Sequence, residues 1–99
     1  MRLGIKPHAK EVERTVKICN RLGLHARAAG KFRNLAAQFS CTIKLIKGRM
    51  EADAKSILGL MALEASKGTE LTIRAWGDDS EEAVQALADL VAGRFGEDE

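Results

Sequence analysis

The sequence predicts an α+β fold in which helices cover one face of an antiparallel sheet. Three observations carry this. Apolar side chains alternate in period two at Val12–Cys19, Cys41–Lys47 and Glu70–Trp76, which is the signature of half-buried strands. Two longer stretches, one from Ala26 and one after Asp79, repeat their apolar residues at helical spacing. Strands and helices interleave through short links on a chain of 99 residues, too few for two cores, and that mixture favours one α+β unit. Apolar residues are 45% and charged residues 30% of the chain, ordinary globular proportions.

The elements follow in chain order. Met1–Lys10 has no period and reads as a loose tail. In Val12–Cys19, Val12, Arg14, Val16 and Ile18 share one face. Asn20-Arg21-Leu22-Gly23 breaks the strand. From Ala26 to Gln38, the residues Ala28, Phe32, Leu35, Ala36 and Phe39 make an apolar stripe. Arg27, Lys31, Asn34 and Gln38 line the opposite side, so the segment is an amphipathic helix, weakened a little by Gly30. Cys41–Lys47 is β-branched and alternating, and Gly48-Arg49 turns it into a short partner, Met50–Ala54. Ser56 is an N-cap for a short helix from Ile57 to about Ser66, closed by Lys67-Gly68. Glu70–Trp76 alternates with Leu71, Ile73 and Ala75 inward. Asp79 and Glu82 resemble a capping box for a last helix carrying Val84, Leu87, Ala88, Val91 and Phe95 on its apolar side. The order is βαββαβα. Residues 11–96 are expected to form the domain, with 97–99 a solvated acidic tail.

Charge is segregated. Residues 1–50 hold twelve Lys/Arg and two acids, and residues 51–99 hold four Lys/Arg and twelve acids. The basic half suits an acidic partner, a phosphate or nucleic acid; alternatively the halves fold together and partly cancel. No apolar run approaches the ~20 residues of a membrane span. Met1–Lys10 lacks the apolar core of a secretory signal, and two cysteines are too few for a disulfide scaffold. A cytoplasmic location is therefore expected.

The chemistry concentrates at His25, placed after Gly23-Leu24 and before the first helical turn. A helix N-terminus presents unpaired N–H groups and partial positive charge, and anions bind there. The same field disfavours the imidazolium and keeps a ring nitrogen nucleophilic. Arg27 can bring fork donors to phosphate oxygens. Gly-x-His-x-Arg at a loop-to-helix junction is thus a coherent phosphoryl-accepting site. The alternative is a histidine that merely caps the helix.

Gly23-Leu24-His25-Ala26-Arg27-Ala28-Ala29-Gly30-Lys31-Phe32 resembles the active-site segment of HPr, the histidine-containing phosphocarrier family of the bacterial phosphotransferase system. Ala54-Lys55-Ser56-Ile57-Leu58-Gly59-Leu60 resembles that family's second signature, around its regulatory serine. The resemblance runs from Val12 to Phe95. It implies an open-faced β-sandwich, with a four-stranded antiparallel sheet covered on one side by three helices. It implies phosphorylation of His25 on Nδ1, with Arg27 attending the phosphate and Ser56 as a regulatory phosphorylation site. Enzyme I would be the phosphoryl donor, a histidine on an enzyme IIA protein the acceptor, and a serine kinase the modifier of Ser56. The chain would be a monomeric carrier rather than a turnover catalyst, with no cofactor. Leu24, Ala26, Arg27, Ile57, Leu58 and Met61 are expected on the docking surface, with Lys31 and Lys55 as a basic rim. The family usually has Pro after the active-site Arg; here Ala28 stands there and adds a backbone N–H. The sugar and nitrogen-related branches are not separated by these motifs.

Three other functions compete. One is a regulatory relative that acts by protein binding alone, which would be expected to lose the histidine. A second is a small nucleic-acid-binding module, disfavoured by 4% aromatics and no Tyr. A metal site is the third, disfavoured because His8, His25, Cys19 and Cys41 show no ligand spacing.

Overall fold

The structure, a computed structural model, describes residues 11–99; the tail expected over Met1–Lys10, with His8, lies outside the described residues. The elements are β1 (Glu11–Lys17), α1 (Ala26–Ala36), β2 (Thr42–Lys47), β3 (Met50–Asp53), α2 (Ile57–Ala62), β4 (Glu70–Trp76) and α3 (Ser80–Ala92). A single 3-10 turn, Arg94–Gly96, follows α3. The sheet order is β1-β4-β2-β3 and every pairing is antiparallel.

Alternation decides which face is covered. Leu71, Ile73 and Ala75 of β4 and Ile43 and Leu45 of β2 are buried beneath the helices, joined by Phe32 of α1, Leu60 of α2 and Val84, Leu87 and Val91 of α3. Each large side chain removed from water contributes about 1.5–3 kcal/mol. The other face is polar. Glu13, Arg74, Lys44 and Asp53 stand in one row across the four strands, and Arg74 pairs with Glu13 at 2.5 Å and lies over Trp76. No helix among the described residues is long and apolar enough to cross a membrane.

Three local expectations change. Phe95, expected on the apolar side of the last helix, lies beyond α3 in the 3-10 turn, yet is still fully buried. The helix expected to run to about Ser66 stops after Ala62, with Leu63 as its C-cap and Glu64 in the left-handed region at φ 51°. Leaving the helix there buries both Leu63 and Ala65 and turns the Ala65 carbonyl towards the N–H of Leu24, 2.9 Å away. Asp79 does precede α3, but its carboxylate makes no cap bond. It accepts instead from Ser40 N–H and Cys41 N–H at 2.8 and 3.0 Å, tying the start of α3 to the entry of β2. These donors hold Asp79 below the usual carboxylate range. Burial pushes the neighbouring Cys41 thiol up to about 11, with Asp79 adding to the effect, so Cys41 packs as a small apolar residue.

Candidate functional site

The loop ahead of α1 is shaped by Gly23, whose φ is +70°. A Cβ there would sit 2.6 Å from the Ala65 carbonyl oxygen and 2.9 Å from Ser66 Cα, so only glycine permits the loop to lie against residues 65–66. His25 follows in extended conformation and is the N-cap of α1. Its Nδ1 accepts from the Arg27 N–H at 3.2 Å, and its carbonyl accepts from Ala29 N–H at 2.8 Å. With Nδ1 accepting, the ring proton sits on Nε2, which lies 2.5 Å from Oε2 of Glu97. The N–H groups of Ala26 and Ala28 find no acceptor among the described residues. The Nδ1 lone pair therefore faces an electropositive helix end with donors to spare.

Glu97 reaches the ring because the chain reverses after α3. Arg94 and Phe95 both take left-handed φ values, 59° and 54°. Such conformations cost about 1–3 kcal/mol each. Complete burial of Phe95, contributing about 1.5–3 kcal/mol, offsets much of that. Lys31 Nζ donates to the Phe95 carbonyl at 2.7 Å, anchoring the turn to α1. The Glu97 carboxylate also accepts from the Asn20 side-chain amide at 3.0 Å. Hydrogen bonds from Asn20 and then His25 hold it below the usual carboxylate range. Arg21 Nε pairs with Glu99 at 2.9 Å. Arg21, Leu22, His25, Arg27 and Glu97–Glu99 surround an open cavity of about 470 Å³. Basic and acidic halves of the sequence thus meet at the site.

The family described as PTS-HPr, "PTS HPr component phosphorylation site", matches residues 12–93. The chain belongs to this family. It is 44% identical over 88 residues to the phosphocarrier protein HPr of Neisseria meningitidis, covering 89% of this chain and 99% of that one. It is equally 44% identical, over 87 residues, to the phosphocarrier protein NPr of Shewanella violacea, covering 88% of this chain and 96% of that one. A crystal structure of HPr-C-His from Thermoanaerobacter tengcongensis superposes with a TM-score of 0.86 at 44% identity, over 89% of this chain and 99% of that one. The open-faced HPr fold and the family membership read from the two motifs are both borne out.

Against this HPr framework, the site residues named from sequence separate into groups. His25 is partly exposed, 27% by its side chain. Ala26 and Arg27 are exposed, and Arg27 lines the cavity beside the ring. Leu24 is a correction: it is 5% exposed and belongs to the core, because its N–H docks on Ala65 and carries the side chain inward. On α2, Leu58 is 80% exposed and Ile57 and Met61 are nearly 40%, whereas Leu60 is buried. The two lysines expected as a basic rim keep their charge, Lys31 exposed and Lys55 half-buried, and both are also tethered to the backbone. Lys31 is engaged with Phe95, and Lys55 donates to the carbonyls of Phe39 and Cys41 at 2.8 and 3.0 Å; carbonyls at element ends lack backbone donors and take these ammonium groups. Ser56 caps α2 as expected, its hydroxyl accepting from Gly59 N–H at 3.0 Å.

Three residues escaped the sequence reading. Glu97 was assigned to a solvated tail, yet it contacts His25 and Asn20. Asn20 looked like a loop breaker and is fully buried. Leu22, 58% exposed, shares a cleft with His25, Glu64 and Ser66. An acidic residue after a helix and an asparagine in a turn carry no local pattern that separates them from solvated ones. Among the described residues no group of three His, Cys, Asp or Glu could hold a metal ion.

Proposed function

We propose that His25 is the residue on which this phosphocarrier of the phosphotransferase system carries its phosphoryl group. The observation that carries the reading is the Nδ1 lone pair, aimed at the α1 N-terminus beside the exposed N–H of Ala26, which no described residue accepts. Attack from Nδ1 forms the P–N bond, as the donor's bond to phosphorus breaks, where the Ala26 N–H can take a phosphoryl oxygen, and the Arg27 N–H, released from the ring, becomes a second donor. Arg27 brings a mobile guanidinium to the charge spread over the equatorial oxygens. Ala28, buried in the first turn, keeps the helix start that a proline would also allow. The cavity is open, as a relay needs: a phosphoryl group held too firmly would not move on.

Phosphorylated enzyme I is the donor in this reading and an enzyme IIA protein the acceptor, met by a monomeric carrier in the cytoplasm. Leu58, Ile57 and Met61 form the apolar part of the docking surface, with Leu22, Ala26 and Arg27 beside the ring. Ser56 is the regulatory phosphorylation site for a serine kinase. Its phosphate would add up to about two negative charges next to that patch and repel an acidic partner.

Incubation with enzyme I and phosphoenolpyruvate tests the central claim. Acid-labile label is expected on the wild type and absent from His25→Ala, with His8 as an internal control. Label that survives the substitution removes His25 from the role.

A further inference from the structure

We propose that Glu97 is the positioning residue of the phosphoryl-accepting histidine, held by the buried Asn20 amide so that the His25 ring keeps its proton on Nε2 and presents the Nδ1 lone pair. The inference rests on the reading of His25 as acceptor and adds what sets the state of its ring.

Three observations lead there. The Glu97 carboxylate meets Nε2 at 2.5 Å while Nδ1 accepts from the Arg27 N–H at 3.2 Å. Only the Nε2–H tautomer satisfies both, since a proton on Nδ1 would face another donor and leave Nε2 opposing a carboxylate oxygen. Second, Asn20 is completely buried and both hydrogens of its amide are used, one on the Gly23 carbonyl at 2.8 Å and one on Glu97 Oε1 at 3.0 Å. Its own Oδ1 has no partner among the described residues. A buried amide with an unmet oxygen is destabilising, and turning it over would set that oxygen against two acceptors. Asn20 is therefore kept for its donors, and these join the loop before His25 to the carboxylate. Third, the reversal that delivers Glu97 is itself anchored by buried Phe95 and the Lys31 bond. The other charged side chains lining the cavity are Arg21, Arg27, Asp98 and Glu99; of these residues Arg27 meets the ring through its backbone N–H.

The chemistry follows from where the proton stays. On uptake, the Nδ1 lone pair forms the P–N bond as the donor's bond to phosphorus breaks and its electron pair leaves with the donor. The Nε2 proton remains between His25 and Glu97, so the ring becomes cationic and the carboxylate faces that charge. On delivery, the lone pair of the acceptor's histidine nitrogen forms the new P–N bond as the P–Nδ1 bond breaks with its pair returning to Nδ1. Because Nε2 is still protonated, the ring departs as neutral imidazole instead of an imidazolate. Glu97 touches neither phosphorus nor its oxygens; it acts through the ring.

The test compares wild type, Glu97→Ala and Glu97→Gln. Long-range proton–nitrogen NMR of the neutral His25 ring reads the tautomer, amide spectra of α1 verify the fold, and uptake from enzyme I and phosphoenolpyruvate gives the rate. Wild type is expected as Nε2–H. Glu97→Ala is expected to show mixed tautomers and uptake about tenfold slower. Glu97→Gln, whose oxygen can still accept from Nε2–H, should recover the tautomer and part of the rate. A wild-type ring protonated on Nδ1 overturns the proposal. So does an alanine variant with unchanged tautomer, whether its rate holds or falls, because a simple latch on the chain would leave the ring's state alone. His25→Ala labelling separates the two levels: label there removes the acceptor reading itself, while its absence beside an indifferent Glu97 removes only this inference.

Discussion

The starts of α1 and α2 are built on one plan and end with different chemistry. Each is capped by a side chain that accepts from a backbone N–H, His25 from Arg27 and Ser56 from Gly59. At α2 the hydroxyl is small, and the cap completes the element. At α1 the acceptor is an imidazole nitrogen whose ring has a second polar face, which a carboxylate from 72 residues away occupies. Under the proposed function this cap is also the nucleophile, and the carboxylate holds its ring. The contrast teaches that the helix end supplies donors and field at both places, but reactivity needs the ring and something to hold it.

The sharpest way to break this comparison is to give α1 the cap of α2. His25→Ser is expected to abolish phosphoryl uptake while stability changes by no more than about 1 kcal/mol, measured by label incorporation and urea unfolding. A variant that fails to fold would make the imidazole a structural part instead. Introducing charge at the other cap comes next. Ser56→Asp should leave the fold intact and slow phosphorylation by enzyme I several-fold, because the new carboxylate stands beside Ile57 and Leu58; an unchanged rate removes the inhibitory role. Ser56→Ala is expected to cost about 1 kcal/mol with normal uptake, so chemical denaturation moves and the transfer rate does not.

The smallest expected effect is with pH. Glu97 is held below the ordinary glutamate value by Asn20 and His25, so the stability from its contacts is complete above that value and lost as pH falls through the depressed one. Carboxyl chemical shifts should show Glu97 titrating below about 4.3, the unperturbed value, and the α1 end should alter in that range. The α2 cap has no ionisable group and should not follow. A Glu97 midpoint at or above the ordinary value contradicts the pairing.

Much of this was legible beforehand because it is local. Strand alternation, the amphipathic stripe around Phe32, the Ser56 cap and the Gly-x-His-x-Arg junction are each set by residues a few positions apart. The core face of β4 could be named from Leu71, Ile73 and Ala75 alone. Asp79 shows the limit: its place before α3 was readable, but two N–H donors from residues 40 and 41 compete for the carboxylate and win.

By itself the sequence determined the order of elements, the residues of the two signatures and the placement of a histidine at a helix start, since backbone periodicity and capping depend on near neighbours. Tertiary structure alone decided that Leu24 turns inward, that Lys31 and Lys55 are occupied by carbonyls, and that residue 97 returns to the ring. The first depends on the docking of Leu24 against Ala65, the Lys55 bonds on carbonyls of residues 39 and 41, and the Lys31 bond and the return of residue 97 on the reversal after α3, anchored by the burial of Phe95; each joins residues far apart in sequence, which no local spacing records.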